Sequence, residues 1–160
     1  MGKIFDRSEL KEAVRKWRSA GKTIVFTNGC FDILHRGHVE YLNLSKKLGD
    51  ILVLGINSDK SVRILKGEGR PLVPEEDRAF ILSQLISVDA VSIFEEETPI
   101  NLLKIVLPDI LVKGGDYKIE EVVGREIVEE YKGKVVTIPV ITETSTTSVI
   151  EKIKSTKRRS

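Results

Sequence analysis

Apolar positions along this chain fall into two alternating patterns. Short runs that are apolar almost throughout occupy residues 23–27, 51–56, 90–94, 110–112 and 135–138. Such runs read as strands buried on both faces. Between them, apolar residues recur every three or four positions, which predicts helices over 39–48, 75–85, 99–106 and 122–131. Two further helices are expected near the ends. Residues 8–20 set Leu10, Val14 and Trp17 on one face, with Ser8 as the expected N-cap and Gly21 as the stop. Residues 147–154 follow a run of hydroxyl side chains suited to a helix start.

Apolar strands separated by amphipathic helices predict an α/β fold. The expected form is a Rossmann-like doubly wound sheet of five parallel strands, with helices on both faces and right-handed crossovers. In such sheets ligands bind beyond the carboxyl ends of the strands, where strand order reverses. The first predicted strand runs into Asn28 and Gly29, so the residues just after it are expected at the site. Residues 57–74 form the longest expected loop, with Lys60, Arg63, Lys66 and Arg70 set around Gly67 and Gly69. Long loops in compact domains commonly carry function.

Composition narrows the class. With 160 residues, one domain is expected over 1–160: an N-terminal helix within 1–21, a core over 22–153 and a basic tail over 154–160. Hydrophobic residues make up 41% and charged residues 31%, a globular rather than a disordered composition. A net charge of +2 gives no electrostatic case for a nucleic-acid partner. No apolar run approaches the roughly 20 residues of a membrane helix. Residues 1–7 lack the apolar core of a secretion signal. The single cysteine, Cys30, excludes an internal disulfide and fits a reducing compartment, so a cytoplasmic location is expected. Sparse Asn and Gln beside abundant Lys and Glu is a bias of thermophile proteins.

Four segments carry candidate chemistry. Both histidines of the chain lie in His35-Arg36-Gly37-His38. Three residues apart, they share one side of a helical turn, and Gly37 lets a ligand approach the backbone. Their spacing leaves three readings open: phosphate ligands, metal ligands completed by Cys30 or Asp32, or satisfied polar groups at a helix start. Lys66 is either a cation that closes over a polyphosphate or a solvated loop lysine. The run Lys113, Gly114, Gly115 and Asp116 offers backbone and carboxylate to a base and ribose, or simply ends a strand. Ser145, Thr146 and Thr147, with Thr144 before them, form a second anion site or act as caps only. Glu95, Glu96 and Glu97 read as a solvated acidic turn, and Cys30 as a buried, inert thiol.

Taken in order, these segments resemble the HxGH-type nucleotidyltransferases of the cytidylyltransferase-like superfamily. Gly29-Cys30-Phe31-Asp32 followed by His35-Arg36-Gly37-His38 matches the first motif of that superfamily. Ser145-Thr146-Thr147 matches its C-terminal serine–threonine motif. Within it, Asn57-Ser58-Asp59, Leu65-Lys66-Gly67, Arg70-Pro71, Arg78 and Val88-Asp89 resemble the heptose 1-phosphate adenylyltransferases. So do Phe94-Glu95-Glu96-Glu97-Thr98-Pro99, Pro108-Asp109 and Leu111-Val112-Lys113-Gly114-Gly115-Asp116-Tyr117. The likeness runs from 22 to 153. Two positions depart from it. Ile64 stands where many of that family carry Arg before Leu-Lys-Gly, with Arg63 one residue earlier. Val149 and Ile150 follow the serine–threonine motif, where the superfamily has an arginine.

The resemblance implies transfer of AMP from ATP to D-glycero-β-D-manno-heptose 1-phosphate. ADP-heptose for the lipopolysaccharide inner core and pyrophosphate would be the products. It implies His35, His38 and Lys66 as catalytic residues. Phe31, Asp32, Gly37, Lys113, Gly114, Asp116, Ser145, Thr146 and Thr147 would bind the nucleotide, and Asn57, Asp59, Arg70 and Arg78 the sugar phosphate. Mg²⁺ would be carried by the ATP phosphates, with no metal ligand from the protein. A separate heptose kinase upstream and a homodimer are further expectations. The alternatives are a cytidylyltransferase acting on glycerol phosphate or ethanolamine phosphate, and a non-catalytic nucleotide-binding protein.

Overall fold

The computed structural model describes residues 2–115, 118–139 and 145–157. The strands among them are β1 (Lys3–Ile4), β2 (Ile24–Gly29), β3 (Ile51–Asn57), β4 (Ala90–Phe94), β5 (Ile110–Gly114) and β6 (Lys134–Ile138). The α-helices are α1 (Arg7–Ser19), α2 (Arg36–Lys46), α3 (Asp59–Lys66), α4 (Glu75–Ser83), α5 (Ile100–Val106), α6 (Arg125–Glu130) and α7 (Thr146–Lys157). One parallel sheet runs in the order β1-β4-β3-β2-β5-β6. The expected Rossmann-like architecture is present, with six strands rather than five. The additional strand, β1, is two residues long and pairs with β4 at the edge. Two residues are too few to show a period, so only tertiary pairing reveals it.

Burial on both faces explains why the central strands lack polar alternation. On one face Ile24, Phe26, Val53, Ala90 and Leu111 pack with Leu10, Val14, Leu102, Leu103, Val106 and Val128 of α1, α5 and α6. On the other, Val25, Leu52, Leu54, Val91 and Val112 pack with Leu42, Ala79 and Leu82 of α2 and α4. Each fully buried aliphatic side chain contributes about 1.5–3 kcal/mol, so the two layers together hold the sheet. Strand order reverses between β2 and β5. Outward from β2 come β3 and β4 on one side, and β5 and β6 on the other. That reversal places a ligand crevice at the carboxyl ends of β2 and β5.

Three local readings of the sequence are corrected. The N-cap of α1 is Asp6, not Ser8. The Asp6 carboxylate accepts from the Glu9 N–H at 2.8 Å while Glu9 accepts from the Asp6 N–H, a reciprocal capping box. The expected loop 57–74 begins as helix α3, capped by Ser58, whose hydroxyl accepts from the Ser61 N–H. Lys66 is therefore the last residue of a helix, and the glycine loop starts after it. The expected helix 122–131 is a 3₁₀ turn (Ile119–Glu121) followed by α6, with Gly124 at φ +91° between them. A side chain at Gly124 would be strained there and would meet Leu103 at 2.2 Å, so the helix is interrupted by packing.

Candidate active site

The site grows from the turn between β2 and α2. Phe31 takes a left-handed conformation, φ +46°, which is uncommon for a residue other than glycine. It bends the chain so that Asp32 points inward and His35 reaches the start of α2. His35 occupies the N-cap position, yet its side chain makes no capping hydrogen bond, and the first turn of α2 holds no acidic residue. This is not the arrangement of a purely structural cap. The positive end of α2 is therefore not neutralised by a side chain of its own first turn.

The His35 and His38 rings stack, with centroids 3.7 Å apart and planes 26° apart. Phe31 meets His38 edge-on at 5.0 Å. Both Nδ1 atoms are buried and have no hydrogen-bond partner among the described residues. Burial pushes the pKa of His38 down to about 4, and the neighbouring His35 adds to that shift. Burial lowers His35 as well. Two neutral, stacked imidazoles on the cleft wall can donate to phosphate oxygens without carrying opposed charges.

A cleft of about 690 Å³ opens above this turn. Its wall includes Phe31, Asp32, His35, Gly37, His38, Asn57, Lys66, Arg70, Lys113, Gly114, Ser145, Thr146 and Thr147. Residues separated by more than a hundred positions thus meet at one end of the sheet. Lys66 has no ion-pair or hydrogen-bond partner among the described residues and is exposed to the cleft from the end of α3. At the other side, the Lys113 ammonium donates to Asn28 Oδ1 at 3.0 Å, and burial lowers its pKa. Helix α7 starts beside the histidine turn. Ser145 caps it by accepting from the Ser148 N–H, and the Thr146 hydroxyl donates to the Ile33 carbonyl.

Asp32, Arg70, Asp59 and Arg78, all predicted site residues, are engaged with one another and with the backbone. Asp32 is 3% exposed. It accepts from Arg70 Nε at 2.5 Å and from the N–H groups of Leu72 and Val73 at 2.7 and 2.9 Å. This carboxylate fixes residues 70–73 against the histidine turn, and it holds Arg70 in doing so. Arg78 is buried and absent from the cleft wall. Its guanidinium donates to the carbonyls of Val73, Cys30 and Asn57 and to Asp59 Oδ1 at 2.7 Å. Asp59 is likewise off the wall. Arg78 and Asp59 thus join α3 and α4 to the ends of β2 and β3. Asp116, Tyr117 and Thr144 lie outside the described residues, as does the basic tail from 158.

A model of the cytidylyltransferase-like family matches residues 26–160. The chain belongs to the cytidylyltransferase-like family. Among relatives of this cytidylyltransferase-like chain is the bifunctional protein HldE of Syntrophotalea carbinolica. It is 53% identical over 151 residues, covering 94% of this chain and 31% of that protein. The HldE protein of Geobacter sulfurreducens is 54% identical over the same shares. The chain thus spans about a third of the length of these relatives. The crystal structure of a lipopolysaccharide core biosynthesis protein from Thermoplasma volcanium matches with a TM-score of 0.63 and 32% identity, covering 78% of this chain and all of that one. Pantoate–β-alanine ligase from Francisella tularensis matches with a TM-score of 0.63 at 16% identity, over 91% of this chain and 69% of that one, a likeness of fold.

Sequence reasoning missed Tyr41, which forms the floor of this cytidylyltransferase-like cleft. Its hydroxyl lies 2.6 Å from Thr27 Oγ1 and donates to the Val112 carbonyl, joining α2 to β2 and β5. Burial pushes its pKa up to about 12, so it stays a neutral phenol. A Cβ on Gly114 would come within 3.1 Å of the Tyr41 ring, so glycine is what lets the strand end close over that ring. Tyr41 sits three positions after His38. That helical spacing was the available signal.

Proposed function

We propose that the cleft transfers AMP from ATP to D-glycero-β-D-manno-heptose 1-phosphate. A phosphate oxygen of the sugar attacks the α-phosphorus and forms the new P–O bond. The bond from the α-phosphorus to the bridging oxygen breaks, and its electron pair leaves with pyrophosphate. A sugar phosphate is already anionic near neutral pH, so no general base is needed. The protein's work is orientation and charge stabilisation. The observation that carries this reading is the meeting of His35, His38, Lys66 and the start of α7 in one cleft at the strand-order reversal.

In this reading His35 and His38 donate to the phosphates as charge builds on them, and Lys66 balances the leaving pyrophosphate. Thr146 and Thr147 hold the β- and γ-phosphates at the start of α7. Gly114 and Lys113, over the Tyr41 floor, receive the adenosine together with Asp116. Arg70, held by Asp32, faces the sugar phosphate. Asp59 and Arg78 act by positioning. Among the described residues, no group of three His, Cys, Asp or Glu side chains is placed to hold a metal ion. Mg²⁺ would be carried to the cleft by the ATP phosphates, the usual way this ion reaches such sites.

The HldE relatives and the lipopolysaccharide core biosynthesis protein support the heptose assignment. A sugar kinase supplies the substrate, the chain acts in the cytoplasm as a homodimer, and residues 1–160 work as one domain. Among the described residues, no helix is long and apolar enough to cross a membrane. Pyrophosphate release from ATP, measured with and without heptose 1-phosphate, tests the reading. Strong stimulation by the sugar phosphate is expected, and its absence overturns the assignment.

A further inference from the structure

Two carboxylates of the described residues lie on the cleft wall, Asp32 and Glu97. Asp32 is fully engaged with Arg70, Leu72 and Val73. Glu97 has neither a hydrogen bond nor an ion pair among the described residues, and it is exposed to the cleft. Its neighbour Glu96 behaves differently. Glu96 pairs with Arg7 at 2.6 Å and accepts from Asn101, which ties the turn after β4 to α1 and α5. Ser61 Oγ donates to the Glu96 carbonyl at 2.9 Å, and the Ser58 N–H donates to the Phe94 carbonyl. The backbone on the N-terminal side of Glu97 is thus anchored at several points, so its carboxylate is presented from a fixed wall.

An unpaired carboxylate repels phosphate, so it has no use beside the triphosphate. Glu97 follows β4, which lies two strands from β2. A carboxylate accepts hydrogen bonds only, and its two oxygens suit a pair of neighbouring hydroxyls. We infer that Glu97 receives hydroxyl groups of the acceptor and selects a phosphorylated polyol. This inference rests on the adenylyl-transfer reading of the same cleft and names a specificity residue within it.

The test compares wild type with Glu97→Gln and Glu97→Ala. The expected result is a KM for heptose 1-phosphate raised roughly tenfold or more, the usual effect of losing a charged hydrogen bond. The Kd for ATP, the Mg²⁺ concentration for half activity and the melting temperature stay at wild-type values. An unchanged KM for the sugar phosphate overturns the inference, as does an equal loss of ATP affinity or a shift confined to Mg²⁺. If wild type turns over another phosphorylated polyol and not heptose 1-phosphate, the heptose assignment falls. The same KM comparison with that polyol then decides the role of Glu97.

Discussion

His38 combines a stacked ring partner with a buried nitrogen that has no hydrogen-bond partner among the described residues. Its pKa, pushed down to about 4 from 6.5, makes folding depend on pH with a definite sign. Between those values the unfolded chain binds more protons than the folded one. Stability is therefore indifferent to this group above pH 6.5 and falls as pH drops through the window towards 4. Denaturation of wild type and His38→Asn over this range checks it. Wild type is expected to lose stability more steeply, and equal slopes would remove His38 as the cause. Bound polyphosphate has the opposite effect, because its negative charge favours the imidazolium. Both histidines were legible in the sequence by their concentration in one motif. Asp32 was legible as a site residue but not as an anchor, because its partners at 70, 72 and 73 are set by a tertiary contact.

At the scale of elements, Arg78 links the ends of two strands and two helices through four hydrogen bonds. Its side chain is fully buried, while that of Asp59 keeps 28% exposure. Arg78→Ala leaves three carbonyls short of a donor and one carboxylate unpaired. A destabilisation of about 3 kcal/mol is expected, the low end for breaking a buried pair because Asp59 retains water. Urea denaturation measures it; a loss below 1 kcal/mol would mean that the link is dispensable (~1 kcal/mol being the net worth of a single ordinary hydrogen bond). An arginine in a polar sequence context reads as a surface or phosphate-binding group, so this role could not be read from the chain alone. The same holds for α3. Its eight residues include Asp59, Lys60, Arg63 and Lys66, and their polar character resembles a loop. The longer apolar strands β2 to β5 were legible because both of their faces are largely buried.

Across the whole molecule, the carboxyl ends of β5, β2, β3 and β4 line up along one edge of the sheet. Gly114 ends β5, the histidine turn follows β2, Asn57 ends β3 and the turn that carries Glu97 follows β4. On the proposed reading this order lays out base, triphosphate and sugar along the cleft. Sequence pattern predicted the edge, since doubly wound sheets bind ligands there. The width of the cleft and the pairing of α7 with the histidine turn needed the folded chain. On the proposed reading this edge joins an adenylyl donor to a heptose 1-phosphate. The most direct test offers equal ATP and CTP with heptose 1-phosphate and identifies the product by mass spectrometry. ADP-heptose with pyrophosphate in equal amount is expected. A CDP-sugar as the main product, or nucleotide binding with no sugar nucleotide formed, would contradict it.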